Sequence, residues 1–124
     1  MAMSLQEATE MMMRLDGLLA IASVDYTSGM VLQSQIVHQY DMELAAATAT
    51  EVVRAQVRAL EQLEGGQIID DILIQTSKEM HLIVLSADPR YAGVFTYLVL
   101  DRWRGNLALA RRRLHELAEA GVDL

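Results

Sequence analysis

The stretch Asp41–Glu64, DMELAAATATEVVRAQVRALEQLE, decides the fold. It is the longest run of good helix formers in the chain and holds neither Gly nor Pro. At about 100° per residue, Met42, Ala45, Ala49, Val52, Leu60 and Leu63 fall in one stripe, with Gln56 its single polar member. Adding Leu44, Ala46, Val53, Ala55 and Ala59 widens the apolar arc to about 180–200°, where a helix lying on one sheet needs little over ~100°. Glu43, Thr50, Glu51, Arg54, Arg58 and Glu61 fill the opposite face. One side of the arc is expected to cover the chain's own sheet. The surplus, rich in small Ala, is expected to receive a second helix, foremost from a second copy.

Upstream, Ser4-Leu5-Gln6-Glu7 reads as a capping box, and Leu5, Ala8, Met12 and Leu15 repeat at helical spacing. A helix over 5–15 follows, with Gly17 at its left-handed C′ position. Leu18–Asp25 is short and apolar, a strand. Tyr26–Gly29 is a tight turn in which Gly29 takes a positive φ, and Met30–Ile36 returns as the second strand. There Val31 and Gln33 alternate with Leu32 and Ser34.

Downstream, Asp41 N-caps the organising helix and Gly65-Gly66 stops it. Strands are expected over Asp71–Thr76 and Met80–Ser86, joined by the turn Thr76–Glu79. The only proline, Pro89, marks a loop. Gly93–Asp101 is apolar on both faces and is expected at the centre of the sheet. Asn106 can N-cap a last helix packed through Leu107, Ala110, Leu114 and Leu117 and ended by Gly121. The order is α-β-β-α-β-β-β-α, an α+β class, in one domain over 1–124.

Composition narrows the function. Just over half of the residues are hydrophobic and 22% are charged, which is globular. No cysteine is present, so disulfides, thiolate metal sites and cysteine nucleophiles are excluded. The N-terminus lacks a basic n-region and no apolar run reaches a membrane span, so a cytoplasmic protein without membrane insertion is expected. A net charge of −7 argues against general nucleic-acid binding.

No catalytic constellation stands out. His38, His81 and His115 lie on three different elements without metal-ligand spacing, so neither metal nor cofactor is expected. His81 is expected to face solvent. Asp70 and Asp71, adjacent at the start of a strand, face opposite sides and cannot act on one bond. They are expected to discourage edge pairing. Arg111-Arg112-Arg113 reads as solvated surface, and Trp103 as partly buried against the last helix. Arg54 and Arg58, four apart on the polar face of the organising helix, are candidates for contact with a partner's acidic surface.

With these elements in order, the chain resembles the Roadblock family, which includes the dynein Roadblock light chains and bacterial and archaeal regulators of Ras-like GTPases. The resemblance is carried by RLDGLLAIASVDYTSGMVLQS (Arg14–Ser34), the helix Met42–Leu63, DDILIQTSKEMHLIVLS (Asp70–Ser86) and FTYLVLDRWRGNLALARRRLHEL (Phe95–Leu117). Gly17, Gly29, Leu32 and Ser34 match the family's first hairpin, whereas Ala20 stands where a Gly is frequent. The resemblance implies a profilin-like fold: a five-stranded antiparallel sheet in the order 2-1-5-4-3, with the outer helices on one face and the middle helix on the other. It implies dimers, with itself or a related Roadblock chain, through the middle helix and the third strand. On this sequence that interface would comprise Ala45, Ala49, Val52, Gln56, Leu60, Ile72 and Ile74.

The implied function is non-enzymatic: a dimeric regulator or scaffold of a small Ras-like GTPase. The paired middle helices would touch the GTPase, with Arg54 and Arg58 as contacts and not as inserted fingers. The alternative is a small-molecule sensor of the PAS or GAF kind, or a general protein-interaction module.

Overall fold

Helices begin where short polar side chains can cap them. In the computed structural model, which describes residues 3–37, 39–86, 89–120 and 122–123, Ser4 Oγ accepts from Glu7 N at 3.1 Å and opens α1 (Leu5–Met12). Asp41 Oδ1 accepts from Leu44 N at 3.1 Å and opens α2 (Met42–Gln62). Asn106 Oδ1 accepts from Leu109 N at 3.1 Å and opens α3 (Leu107–Ala120). Each cap satisfies an amide that the helix itself leaves unpaired. His38, Ala87, Asp88 and the expected helix stop Gly121 lie outside the described residues.

Among the described residues, seven strands accompany the helices: β1 (Met3–Ser4), β2 (Leu18–Asp25), β3 (Met30–Ile36), β4 (Ile72–Gln75), β5 (Glu79–Leu85), β6 (Val94–Asp101) and β7 (Val122–Asp123). Five form one antiparallel sheet in the order β3-β2-β6-β5-β4. Counted without the short β1 and β7, this is the 2-1-5-4-3 order, with the last long strand at the centre. A 3₁₀ turn at Pro89–Tyr91 interrupts the loop before β6. β1 and β7, two residues each and unforeseen from sequence pattern, pair in parallel through Met3↔Val122 and Ser4↔Asp123.

Both faces of the sheet are covered. Leu18, Ile21, Leu82, Val84, Leu98 and Leu100 pack under α1 and α3 with Met12, Ala110 and Leu114. Ala20, Ala22, Val24, Ile83, Phe95 and Val99 face α2, which presents Met42, Ala46, Ala49 and Val53. Burial of each large side chain in these layers is worth about 1.5–3 kcal/mol. Small residues on both sides, Ala20 and Ala22 against Ala46 and Ala49, let α2 approach the sheet closely.

Several local expectations change. α1 stops at Met12, and Gly17, still left-handed at φ +76°, shapes the turn into β2 instead of capping the helix. Gly29 takes its expected positive φ, at +80°. Strand ends shift by a residue or so, the shortest being β4. In β3 the register steps from Ser23↔Gln33 to Val24↔Val31, so Leu32 bulges out exposed and the simple alternation fails.

Candidate functional site

The position of α2 on the sheet creates the most distinctive surface. Thr50, expected on the polar face, is buried, and its hydroxyl donates to Ala46 O at 2.7 Å. A hydroxyl bonded back within its own helix can enter a core without an unpaired donor. Next along the helix, Arg54 Nε donates to Tyr26 O at 2.6 Å, and Arg54 Nη2 donates to Thr27 O. The β2–β3 turn that supplies those carbonyls is itself fixed by Asp25. Its Oδ1 accepts from Thr27 N at 2.9 Å and from Thr27 Oγ1 at 2.6 Å. These bonds hold the Asp25 carboxyl below the usual carboxylate range.

Pinned in this way, α2 lies toward β2 and β3 and leaves the β4–β5 half of the same face open. The result is an apolar groove of about 590 Å³ between α2 and β4. Leu44, Ala45, Thr48, Ala49 and Val52 form one wall, Ile74 the other, and Ile83, His81 and Tyr97 the floor. Leu44 is 62% exposed, Val52 38% and Ile74 38%, large apolar side chains left exposed among the described residues. β4 is also an edge strand, its outer backbone unpaired by any other strand among the described residues.

A polar network sits at the floor. His81 Nδ1 contacts Tyr97 Oη, and His81 Nε2 lies 2.9 Å from Glu79 Oε1. Tyr40 Oη donates to Glu79 Oε1 at 3.3 Å. Burial first, and then the Glu79 charge, push the Tyr40 phenol up to about 12. Burial likewise pushes Tyr97 upward, with Tyr40 and Glu79 adding to it. Both phenols therefore remain protonated donors at neutral pH. His81 is thus part-buried and engaged, not turned to solvent as its place in an alternating strand suggested. Glu79, expected in the preceding turn, opens β5 and shares a face with His81. The cross-strand register that brings Tyr97 to them was invisible in the sequence.

The expected interface residues distribute unevenly. Ala45, Ala49, Val52 and Ile74 line this groove together. Ile72 packs half-buried at the edge of the α2 layer. Leu60 faces a second hollow of about 840 Å³, with Val57, Leu63, Ile68 and His115, beyond the C-terminal half of α2. Gln56 is exposed and lines neither. Ala49 is only 5% exposed because it also packs on the chain's own sheet. Arg54 is held by the turn carbonyls, whereas Arg58 is exposed.

Three other readings are corrected. Asp71 ties α3 to the sheet: His115 Nε2 lies 2.8 Å from its Oδ2, and Arg111 Nη2 donates to its Oδ1 at 3.3 Å. Arg111 is accordingly part-buried and paired, not part of a solvated basic run. Trp103 is 79% exposed instead of packed against α3. Among the described residues no three of His, Asp and Glu converge as metal ligands, and no helix is long and apolar enough to cross a membrane.

Comparison with known proteins gives a consistent picture of the fold. No protein-family model and no curated protein sequence matches the chain. Solved structures do match. The Roadblock/LC7 domain from Streptomyces avermitilis superposes with a TM-score of 0.76 at 12% identity, over 94% of this chain and 92% of that one. MglB of Myxococcus xanthus gives 0.73 at 16% identity, over 91% and 87%. MglC of the same organism gives 0.61 at 20% identity, over 94% and 95%. Sheet order, the placement of the helices on its two faces and these superpositions agree that the chain has the Roadblock fold.

Proposed function

We propose that this chain is a dimeric, non-enzymatic regulator or scaffold of a small Ras-like GTPase, acting in the cytoplasm as one Roadblock-type domain over 1–124. The open groove between α2 and β4 carries the proposal. A sheet edge and a helix flank that expose Leu44, Val52 and Ile74 side by side suit the same elements of a second copy. Pairing α2 with α2 and β4 with β4 covers the apolar walls and removes the open edge in one step. A protein of similar fold, an MglB with a tetrameric arrangement, supports the self-assembly reading.

In such a dimer the polar faces of two α2 helices lie together and form the surface offered to the GTPase. Arg58 is exposed there, and Arg54 contributes through the turn it braces. The two larger hollows beside α2 are open-sided, and a sensor pocket between α1, α3 and the sheet is disfavoured by volume: the cavity there, lined by Thr9, Ser23 and Thr96, is about 70 Å³. That holds a few waters, where small-molecule sites measure roughly 300–1,000 Å³.

Capture from a native lysate, once with a non-hydrolysable GTP analogue and once with GDP, tests the GTPase. A small GTPase retained in one nucleotide state and lost with Arg58→Glu supports the reading. Retention in neither state defeats it. The dimer is tested separately by light scattering. Val52→Glu is the cleaner probe than Ala49→Glu, which would also injure the chain's own core, and it is expected to yield monomers. A Val52→Glu variant still dimeric at low micromolar concentration rules out this groove as the seam.

A further inference from the structure

The turn after β6 reads Asp101-Arg102-Trp103-Arg104-Gly105. It is rigid at its base. Asp101 Oδ1 accepts from Trp103 N at 2.9 Å and from Arg104 N at 3.0 Å, and Gly105 N donates to Asp101 O at 2.9 Å. Its tip carries the only tryptophan of the chain, 79% exposed. The Arg102 guanidinium lies over the indole, 5.3 Å from its centroid, and its Nη1 donates to Thr76 O at 2.9 Å. A cation held in that way presents the ring in a fixed attitude.

Two further turns meet this one. Arg102 N donates to Lys78 O at 3.0 Å in the β4–β5 turn, and Asp101 N donates to Gly17 O at 2.7 Å in the turn after α1. Arg14, Lys78, Arg102 and Arg104, four of the ten cations of a chain with net charge −7, are thereby gathered at one pole. The carboxylates of these turns are Asp16 and Asp101, the latter occupied by backbone amides. Glu79, which follows Lys78, turns instead to Tyr40 and His81. An exposed Trp ringed by Arg is the composition of an interface hot spot.

We propose that this pole docks an acidic polypeptide segment of a partner, an apolar side chain of the segment packing on Trp103 and its carboxylates meeting Arg102, Arg104 and Lys78. Charge selects the occupant. An extended anionic surface such as a membrane or a nucleic acid is repelled by the acidic remainder of the chain. A short segment senses the local cations within a Debye length of about 8–10 Å. Trp103 and Arg102 do not line the α2–β4 groove, so the inference does not rest on the GTPase reading.

The emission of Trp103, the sole tryptophan, reports docking directly. The full chain is titrated with a blocked peptide of repeated Glu-Glu-Leu, with its Lys-Lys-Leu counterpart, and with vesicles containing phosphatidylserine. A saturable blue shift is expected with the acidic peptide alone, weakening about tenfold at high salt and in the double variant Lys78→Glu, Arg104→Glu. Neither of those side chains donates a hydrogen bond among the described residues, so the fold is expected to persist, which circular dichroism checks. Trp103→Ala, read by anisotropy of a labelled acidic peptide, is expected to lose binding. No shift with the acidic peptide, an equal shift with the basic one, or unaltered binding by the double variant overturns the proposal. A shift on vesicles alone replaces it with a membrane.

Discussion

Gly17 shows how little room a single position can leave. Its φ is +76°, and a Cβ built there would sit 2.5 Å from Gly105 N and 2.8 Å from the Arg104 carbonyl carbon. Backbone cannot retreat as a flexible side chain can. Gly17→Ala is expected to lower stability by about 1–3 kcal/mol, through left-handed strain and clash together, read as a lower urea midpoint with unchanged slope. Asp25 supplies a second test, in pH. Its folded carboxyl titrates below the ordinary 3.8 because Thr27 donates to it from hydroxyl and amide. The stabilisation is therefore present above about 3.8 and lost as pH falls through the lowered value. The melting-temperature gap between wild type and Asp25→Ala is expected to be full at neutral pH and to close in acid.

At the scale of elements, α2 owes its placement to its far side as much as to its apolar stripe. Arg54 fastens it to the carbonyls of Tyr26 and Thr27. Arg54→Ala is expected to lower stability by about 1–2 kcal/mol, as loss of a charged donor from part-exposed carbonyls does, and chemical denaturation measures it. The elements themselves were legible. Caps at Ser4, Asp41 and Asn106, turn glycines and the apolar period of α2 are local signals, and the chain obeys them. What escaped was non-local. Thr50 reads as polar and is buried because its hydroxyl bonds within the helix. The Asp71–His115–Arg111 clamp joins residues about forty apart, which no periodicity reports. The surplus arc on α2 did point to an unfilled flank. Which of its residues share the groove required the sheet register, and that separates Leu60 from Val52.

The molecule as a whole combines an acidic surface with two features of opposite character, an apolar groove along α2 and a basic, Trp-tipped pole. If the groove holds a second copy, the melting temperature is expected to rise with protein concentration, since association stabilises the folded state by mass action. The pairing of β1 with β7 has another consequence. Met3 pairs with Val122 and Ser4 with Asp123 across a parallel ladder, so the first and last described strands lie side by side. A short Gly-Ser bridge could therefore join residues 3 and 123, and a cut be made elsewhere. Gly65-Gly66 is exposed, with open space around both Cα atoms, and is the natural place for that cut. A circular permutant beginning at Gly66 is expected to keep the far-ultraviolet dichroism and cooperative unfolding of the parent. Failure to fold would mean that the link between Gln62 and Ile72 organises assembly.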